Sequence, residues 1–159
     1  MSRTDGPGPE LTTRLSYLLK HARLQLSELT AKALMPYGIE GRELAVLLVL
    51  ADREPASQQQ AALRLGIDRT TMVALLDALE DKGLVSRHPD PDDRRRNVVE
   101  LTGAGQDILR RAVKASDDAE RAFLAPLSER AAEQLRESLH TIVTPSGLRP
   151  QHPPRRGSR

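Results

Sequence analysis

Two helix starts lie close together in the middle of the chain, and their spacing limits what this segment can fold into. Ser57 is an N-cap candidate, and Gln60 completes a capping box with it. The helix that follows is very short because Gly66 ends it, and Asp68 then caps a second helix that stops at Gly83. Two short helices joined by one tight turn, over 58–65 and from 69 to about 82, predict a helix-turn-helix.

A hairpin is predicted directly after the second helix. Residues 84–87 and 98–101 favour extended strands, and the loop 88–97 between them is rich in proline and aspartate. These residue types favour turns, so the two strands are expected to pair in an antiparallel hairpin. A hairpin that follows a helix-turn-helix is typical of the wing in a winged helix.

Longer helices are expected on both sides of this segment. Leucines and alanines recur at steps of three and four over 10–34, which predicts one amphipathic helix, and a short buried helix is expected over 44–51. Thr102 is expected to cap a long helix that Pro126 breaks, and Ser128 to cap a last helix. Because aromatic residues make up only 2% of the chain, leucine and alanine must form most of the core.

The length of 159 residues suits one compact domain with a hydrophobic core, which we expect over 10–144. Both ends of the chain are rich in glycine, proline and polar residues, which favours disorder. The expected parts are a disordered N-terminus (1–9), the first helix (10–34), a central lobe (about 38–101), the last helices (102–144) and a disordered basic tail (145–159).

Composition excludes several kinds of site. The chain has no cysteine, so disulfides, thiolate switches and cysteine-bound metals are impossible. A run resembling a signal peptide or a membrane span is missing as well, so we expect a cytoplasmic protein that does not enter a membrane. The net charge of +2 does not by itself indicate a nucleic-acid partner, but Arg94, Arg95 and Arg96 stand together in the predicted wing.

Enzyme chemistry finds little support in the sequence. The four histidines are scattered, and we find neither a metalloprotease motif, nor a nucleophile elbow, nor a phosphate-binding glycine loop. The aspartates Asp90, Asp92 and Asp93 do not match a calcium-loop spacing, so we expect no metal and no cofactor. A winged helix that binds a partner protein instead of DNA stays open, because the central segment is nearly neutral.

Four stretches follow one another along the chain: LGIDRTT (65–71), LDALEDKGLVSR (76–87), DDRR (92–95) and LTGAG (101–105). In this order and at these spacings they resemble the MarR family of winged helix-turn-helix transcription regulators. The similarity is good over about 39–109, whereas the outer helices match mainly in arrangement. The resemblance implies a mainly α fold with a small antiparallel β-hairpin wing, flanked by N- and C-terminal dimerisation helices.

The resemblance also implies partners. Family members form homodimers through the first and last helices, bind palindromic operators in double-stranded DNA, usually repress, and are often released by a small aromatic or phenolic effector. It implies that Arg95 enters the minor groove, that Asp93 holds the wing tip by pairing or by turn hydrogen bonds, and that Arg94 and Arg96 contact phosphates. The expected DNA-binding residues are Ser57, Arg69, Thr70, Thr71, Val73, Ala74, Asp93, Arg94, Arg95 and Arg96.

General chemistry agrees with this assignment at two places. The first turn of the second helix carries Arg69, Thr70 and Thr71, and a helix N-terminus can approach phosphates and base edges closely. Arginines at a wing tip can enter a narrow minor groove, where the negative potential is enhanced. Val73 and Ala74 depart from the family, which usually has polar residues there, so they can touch thymine methyls but cannot pair with guanine.

Effector contacts are harder to predict. In this family, ligands bind between the dimer helices and the DNA-binding lobe, where Tyr17, His21, Arg23 and Tyr37 are candidates. Each also has a purely structural interpretation: Tyr17 would pack at the edge of the core, His21 and Arg23 would lie on the helix surface, and Tyr37 would fill space beneath a loop. The absence of cysteine excludes the peroxide-sensing thiol of some relatives.

Overall fold

The structure is a computed structural model that describes residues 7–52 and 56–144. The disorder expected for 1–9 and 145–159 therefore falls almost wholly outside the described residues. Within them, the elements in chain order are α1 (Pro9–Thr12), α2 (Leu15–Leu34), a 3-10 turn (Met35–Tyr37), α3 (Gly41–Leu50), β1 (Ala56–Ser57), α4 (Gln58–Leu65), α5 (Arg69–Asp81), β2 (Val85–Pro89), β3 (Asn97–Leu101), α6 (Gly103–Leu124) and α7 (Glu129–Val143).

The prediction of a single helix over 10–34 is wrong in one respect, because the helix is interrupted between α1 and α2. The Thr13 hydroxyl donates back to the carbonyl of Pro9, at 3.1 Å, and Arg14 adopts an extended backbone with φ −69° and ψ 133°. Threonine side chains that bond to the backbone compete with helix continuation. The leucine periodicity is the same on both sides of the break and so cannot reveal it.

The helix-turn-helix is confirmed, with α4 over the predicted residues and α5 ending one residue before the expected Lys82. Gly66 and Gly83 end these helices with φ of +63° and +71°, in the left-handed region that glycine adopts without strain. Each glycine therefore turns the chain where the sequence predicted a stop.

The predicted hairpin is confirmed as β2 and β3, which pair antiparallel with Arg87 opposite Val99. A third, short strand was not predicted: β1 pairs antiparallel with the other edge of β3, with Ser57 opposite Val98. β3 is thus the central strand of a three-stranded sheet. This sheet ties the start of α4 to the base of the wing.

One hydrophobic core joins α3, α4, α5, the sheet and the first half of α6. Its largest fully buried side chains include Leu47, Met72, Leu76 and Leu79, and α6 contributes Leu109. The α5 residues recur at steps of three and four, so one stripe of this helix enters the core. The opposite side of α5 is therefore available at the surface.

Two helices keep apolar faces exposed. On α2, Leu15, Leu18 and Leu19 are 67%, 50% and 46% exposed. α7 belongs to a second compact unit that begins at Leu124, and its own apolar residues, including Ile142, are also exposed. Within the described residues, no helix is long and apolar enough to cross a membrane.

Candidate nucleic-acid interface

A groove of about 400 Å³ lies among the start of α4, the start of α5 and the end of the wing. We call it the wing groove. Its polar lining includes Ser57, Arg69, Arg95 and Arg96, and its apolar lining consists of Ala62, Leu63, Ile67, Met72 and Val73. Residues far apart in sequence, on two helices and a hairpin, thus meet around one concave surface.

Ser57 is the N-cap of α4, as the sequence predicted. Its Oγ accepts from the Gln60 amide at 3.2 Å, and the Ser57 amide donates to Gln60 Oε1 at 3.0 Å. Both halves of the capping box are present, and this holds the start of α4 at the edge of the wing groove.

The first turn of α5 is organised by Asp68. Its carboxylate accepts from the Thr71 amide at 2.9 Å and from the Thr71 hydroxyl at 2.6 Å. The hydrogen bond from the hydroxyl, followed by that from the amide, lowers the pKa of Asp68. The Thr71 hydroxyl proton is therefore committed to the cap, whereas Arg69 and Thr70 are exposed.

Val73 and Ala74 lie in different surroundings on α5. Val73 is half-buried and lines the wing groove, while Ala74 is exposed and is not among the residues that line it. Consecutive residues point about 100° apart on an α-helix, so the two apolar side chains face different directions. Of the pair, only Val73 shares a concave surface with the arginines.

The wing tip is a network of turn hydrogen bonds. Asp93 Oδ1 accepts from the Arg95 amide at 3.1 Å, and the Asp93 carbonyl accepts from the Arg96 amide at 2.9 Å. The Asp90 amide donates to the Arg96 carbonyl at 2.8 Å, which closes the loop. Of the two ways in which Asp93 was expected to hold the tip, the structure shows the turn hydrogen bonds.

The basic side chains around the groove are exposed. Within the described residues, Arg69, Arg94, Arg95 and Arg96 form no ion pair, although the wing loop also carries three aspartates. Carboxylates in the described part of the chain thus do not neutralise these guanidinium groups. Arg94 is not among the residues that line the wing groove, whereas Arg95 and Arg96 are.

Arg87 lies on β2, at the base of the wing, and it pairs with two acidic residues of α5. Its Nε donates to Glu80 Oε2 at 2.9 Å, and its Nη2 contacts Asp77 Oδ1 at 2.5 Å. The hydrogen bond to Glu80 is the main cause that raises the pKa of Arg87 and lowers that of Glu80. Arg87 therefore joins β2 of the wing to the exposed side of α5.

A second ion pair that sequence analysis missed joins α3 to the end of α5. Lys82 Nζ donates to Glu43 Oε1 at 2.7 Å and to Oε2 at 2.8 Å, and the Glu43 side chain is only 5% exposed. Glu43 Oε2 also accepts from the Glu40 amide at 2.8 Å, in the capping box of α3. The E-x-x-E spacing at 40–43 was a local signal for this cap.

The effector candidates do not converge on one point. Tyr17 and His21 stack on α2 with ring centroids 4.1 Å apart. Arg23 follows His21 by two positions and so points about 200° away from it around the helix. Tyr37 is half-buried against the core. Metal-binding clusters of three or more histidine or acidic side chains are absent from the described part of the chain.

Comparisons with known proteins match this architecture. A family model described as the MarR family matches residues 37–96. The transcriptional regulator HosA of Escherichia coli O111:H- is 36% identical over 87 residues, 54% of this chain and 64% of HosA, so the match spans less than two thirds of that relative. The regulator PecS of Dickeya dadantii is 31% identical over 127 residues, 78% of this chain and 76% of PecS.

Solved structures extend the likeness along the chain. The transcriptional repressor CouR bound to a 23-mer DNA duplex is 33% identical with a TM-score of 0.83, over 89% of this chain and 100% of CouR. CouR from Rhodococcus jostii RHA1 bound to p-coumaroyl-CoA is 28% identical with a TM-score of 0.76 and the same coverage. These relatives are regulators and not enzymes. This chain belongs to the MarR family of transcriptional regulators.

Proposed function

We propose that this chain binds operator DNA as a homodimeric transcription repressor and that a small-molecule effector releases it. In this proposal, α5 enters the major groove and the wing loop enters the adjacent minor groove. The DNA-binding lobe spans about 38–101, and the outer helices join two copies. We also propose that it acts in the cytoplasm.

The wing groove is the observation that carries the DNA-binding proposal. Arg69 from α5 and Arg95 and Arg96 from the wing border one concave surface, and none of the three forms an ion pair with another described residue. A duplex presents phosphates on both sides of its grooves, so cations separated in this way can contact the backbone at two places. The similarity to CouR, a transcriptional repressor solved on a DNA duplex, supports the same role here.

The dimer proposal is supported by the exposed leucines of α2 and, separately, by the apolar side chains of α7. An apolar face at helical spacing that one chain leaves open is an aggregation hazard unless another surface covers it. Because α2 and α7 each leave an apolar face exposed, we propose that a second copy of the chain covers these faces. A twofold dimer in turn requires a palindromic operator.

The effector proposal is supported by CouR, whose structure with p-coumaroyl-CoA gives one neighbour a small-molecule ligand with a phenolic acyl group. We keep Tyr17, His21, Arg23 and Tyr37 as proposed ligand contacts. The stacked pair Tyr17 and His21 offers an aromatic surface on α2, which an aromatic effector can extend.

The test is selection of bound duplexes from a random DNA pool by the full chain. We expect a palindrome to be enriched, and its affinity to fall steeply with salt because phosphate contacts release counterions. A control for substitutions of the groove arginines is Arg111→Ala on α6, because Arg111 is exposed but does not line the wing groove. This variant should bind the selected duplex as the wild type does.

Two results would contradict the proposal. If no duplex is enriched over the input pool, DNA is not the partner. If capture of a protein is insensitive to salt while DNA binding is absent, the chain is a winged-helix module for protein interaction. Release by an effector is tested next, by adding aromatic acids and their thioesters to the complex of the protein with the selected duplex.

A further inference from the structure

The start of α6 approaches the segment between α5 and β2 at backbone distance. A Cβ added to Gly105 would lie 2.0 Å from the carbonyl oxygen of Leu84. That distance is too short for any Cβ, so only glycine permits this contact. The atoms that a Cβ would meet belong to the backbone of Leu84, which cannot move aside as the end of a flexible side chain can. Gly105 is buried, although it lies in the first turn of α6.

Thr102 joins the start of α6 to the same segment with three hydrogen bonds. Its hydroxyl donates to the Gly83 carbonyl at 2.6 Å and accepts from the Gly105 amide at 3.0 Å. Its amide donates to the Leu84 carbonyl at 3.1 Å. One residue therefore caps α6 and at the same time binds the backbone that directly follows α5. We call Thr102, Gly105, Gly83 and Leu84 the α6 joint.

The α6 joint determines the direction in which α6 leaves the lobe. Ile108, Leu109, Ala112 and Val113 continue the contact with the core, so the first half of α6 is held along its length. Protein interiors transmit such displacements because they are close-packed. The chain then reaches α7 after the short segment 125–128.

We propose that Thr102 and Gly105 determine the half-site spacing that the dimer accepts. This inference rests on the proposed function, since it needs a dimer that reads two half-sites. α5 ends at the joint and α6 begins at it, so any change in the angle between them alters the separation of the two recognition helices. A rigid joint then restricts the dimer to one spacing, and a loose joint accepts several.

The experiment measures binding to two kinds of duplex. The first kind is a series of the selected palindrome with the two half-sites moved closer or further apart, and the second carries one half-site with the other scrambled. Gly105→Ala is compared with Gly103→Ala, whose added Cβ meets nothing within 4 Å. Sedimentation and circular dichroism establish that each variant is folded and has the oligomeric state of the wild type.

We expect Gly105→Ala to reduce the preference for the best spacing over the others by about tenfold, a typical coupling between sites. Its affinity for the single half-site should stay close to that of the wild type, and Gly103→Ala should keep the wild-type preference. An unchanged spacing preference in folded Gly105→Ala overturns the inference. An equal loss on palindrome and half-site also overturns it, because the effect would then lie within one lobe.

Thr102→Val provides the second measurement, and it decides the question if Gly105→Ala does not fold. It removes the hydroxyl bonds to Gly83 and Gly105 without adding volume, and Thr102→Ser keeps them as the matched control. A broadened spacing preference in Thr102→Val alone supports the inference, and a wild-type preference overturns it. Failure of the wild type to bind any duplex contradicts the proposed function itself.

Discussion

At the scale of single residues, neighbouring arginines in the wing loop differ in what surrounds them. Arg95 lines the wing groove and its amide is fixed by the Asp93 carboxylate, whereas Arg94 is exposed outside the groove. The backbone of Arg95 is thus held in place, while its guanidinium is free of ion pairs in the described part of the chain. The side chain of Arg95 is therefore suited to a specific contact with DNA, and that of Arg94 to electrostatic attraction to any duplex.

We predict that Arg95→Ala lowers affinity for the selected operator by about 1–3 kcal/mol, the range of a good specific contact. Arg94→Ala should weaken specific and unrelated duplexes alike and reduce the salt slope by about one unit. Titrations of both variants at several salt concentrations measure the two effects. Unchanged operator affinity in Arg95→Ala would show that the wing is not inserted.

A second residue-scale prediction follows from the pKa of Asp68, which the Thr71 bonds lower. A carboxyl with a lowered folded pKa stabilises the fold above its ordinary pKa of about 3.9, and this stability is lost as the pH falls through the folded pKa. Asp68→Asn keeps a capping side chain without the charge. Its deficit in free energy of unfolding should therefore shrink below about pH 4, as urea unfolding at several pH values can measure. If the difference in free energy of unfolding between Asp68→Asn and the wild type is the same at every pH, the charge of Asp68 does not contribute to stability.

Local chemistry was readable at this scale, and distant partners were not. Ser57, Asp68 and Ser128 were predicted as caps because each bonds to a residue three positions on, within the same segment. Arg87 and Glu43 find their partners on other elements, and the residues next to them in sequence do not indicate those partners. The fold alone decides which of them pair.

At the scale of elements, α5 is held at both ends. The Asp68 cap organises its start, and Lys82 at its end reaches the buried carboxylate of Glu43 on α3. Arg87 adds a bond from β2 to the outer side of the same helix. α5 is therefore fixed against both the core helix and the wing, and in the proposed function this presents its exposed side to DNA in one orientation.

We predict that Lys82→Met destabilises the protein by about 1–3 kcal/mol, the cost of leaving a buried acceptor unsatisfied. Lys32→Met is the matched control, because Lys32 pairs with Glu28 at 2.9 Å on the exposed surface of α2. An exposed pair contributes only about 0.3–0.5 kcal/mol on a helix. Chemical unfolding compares the two variants, and equal losses would mean that burial of Glu43 does not matter.

Elements were predictable where periodicity and caps coincide. The bounds of α4 were correct because Ser57 and Gly66 mark both of its ends. β1 was missed because two residues have no period, and their extended backbone is stabilised only by pairing with β3. The break before α2 was missed for the converse reason, since the side chains keep the helical period across it.

At the scale of the whole molecule, the exposed leucines of α2 lead to a prediction about assembly. We expect sedimentation to give a dimer at micromolar concentration, and Leu18→Glu to shift it towards monomer because a charge would be buried in the interface. Leu63→Glu is the control, since Leu63 is 75% exposed but lies on α4 in the wing groove. A folded monomeric wild type would exclude the two-half-site arrangement.

The two faces of α5 also have a consequence for how such a protein changes over evolutionary time. Met72, Leu76 and Leu79 are fully buried, whereas Arg69, Thr70 and Ala74 meet solvent. Surface substitutions away from caps and the core usually change stability little, so mutation can explore the exposed face without endangering the fold. If α5 reads the operator as proposed, a duplicated copy of this gene can therefore acquire a new operator through a few substitutions on one side of one helix.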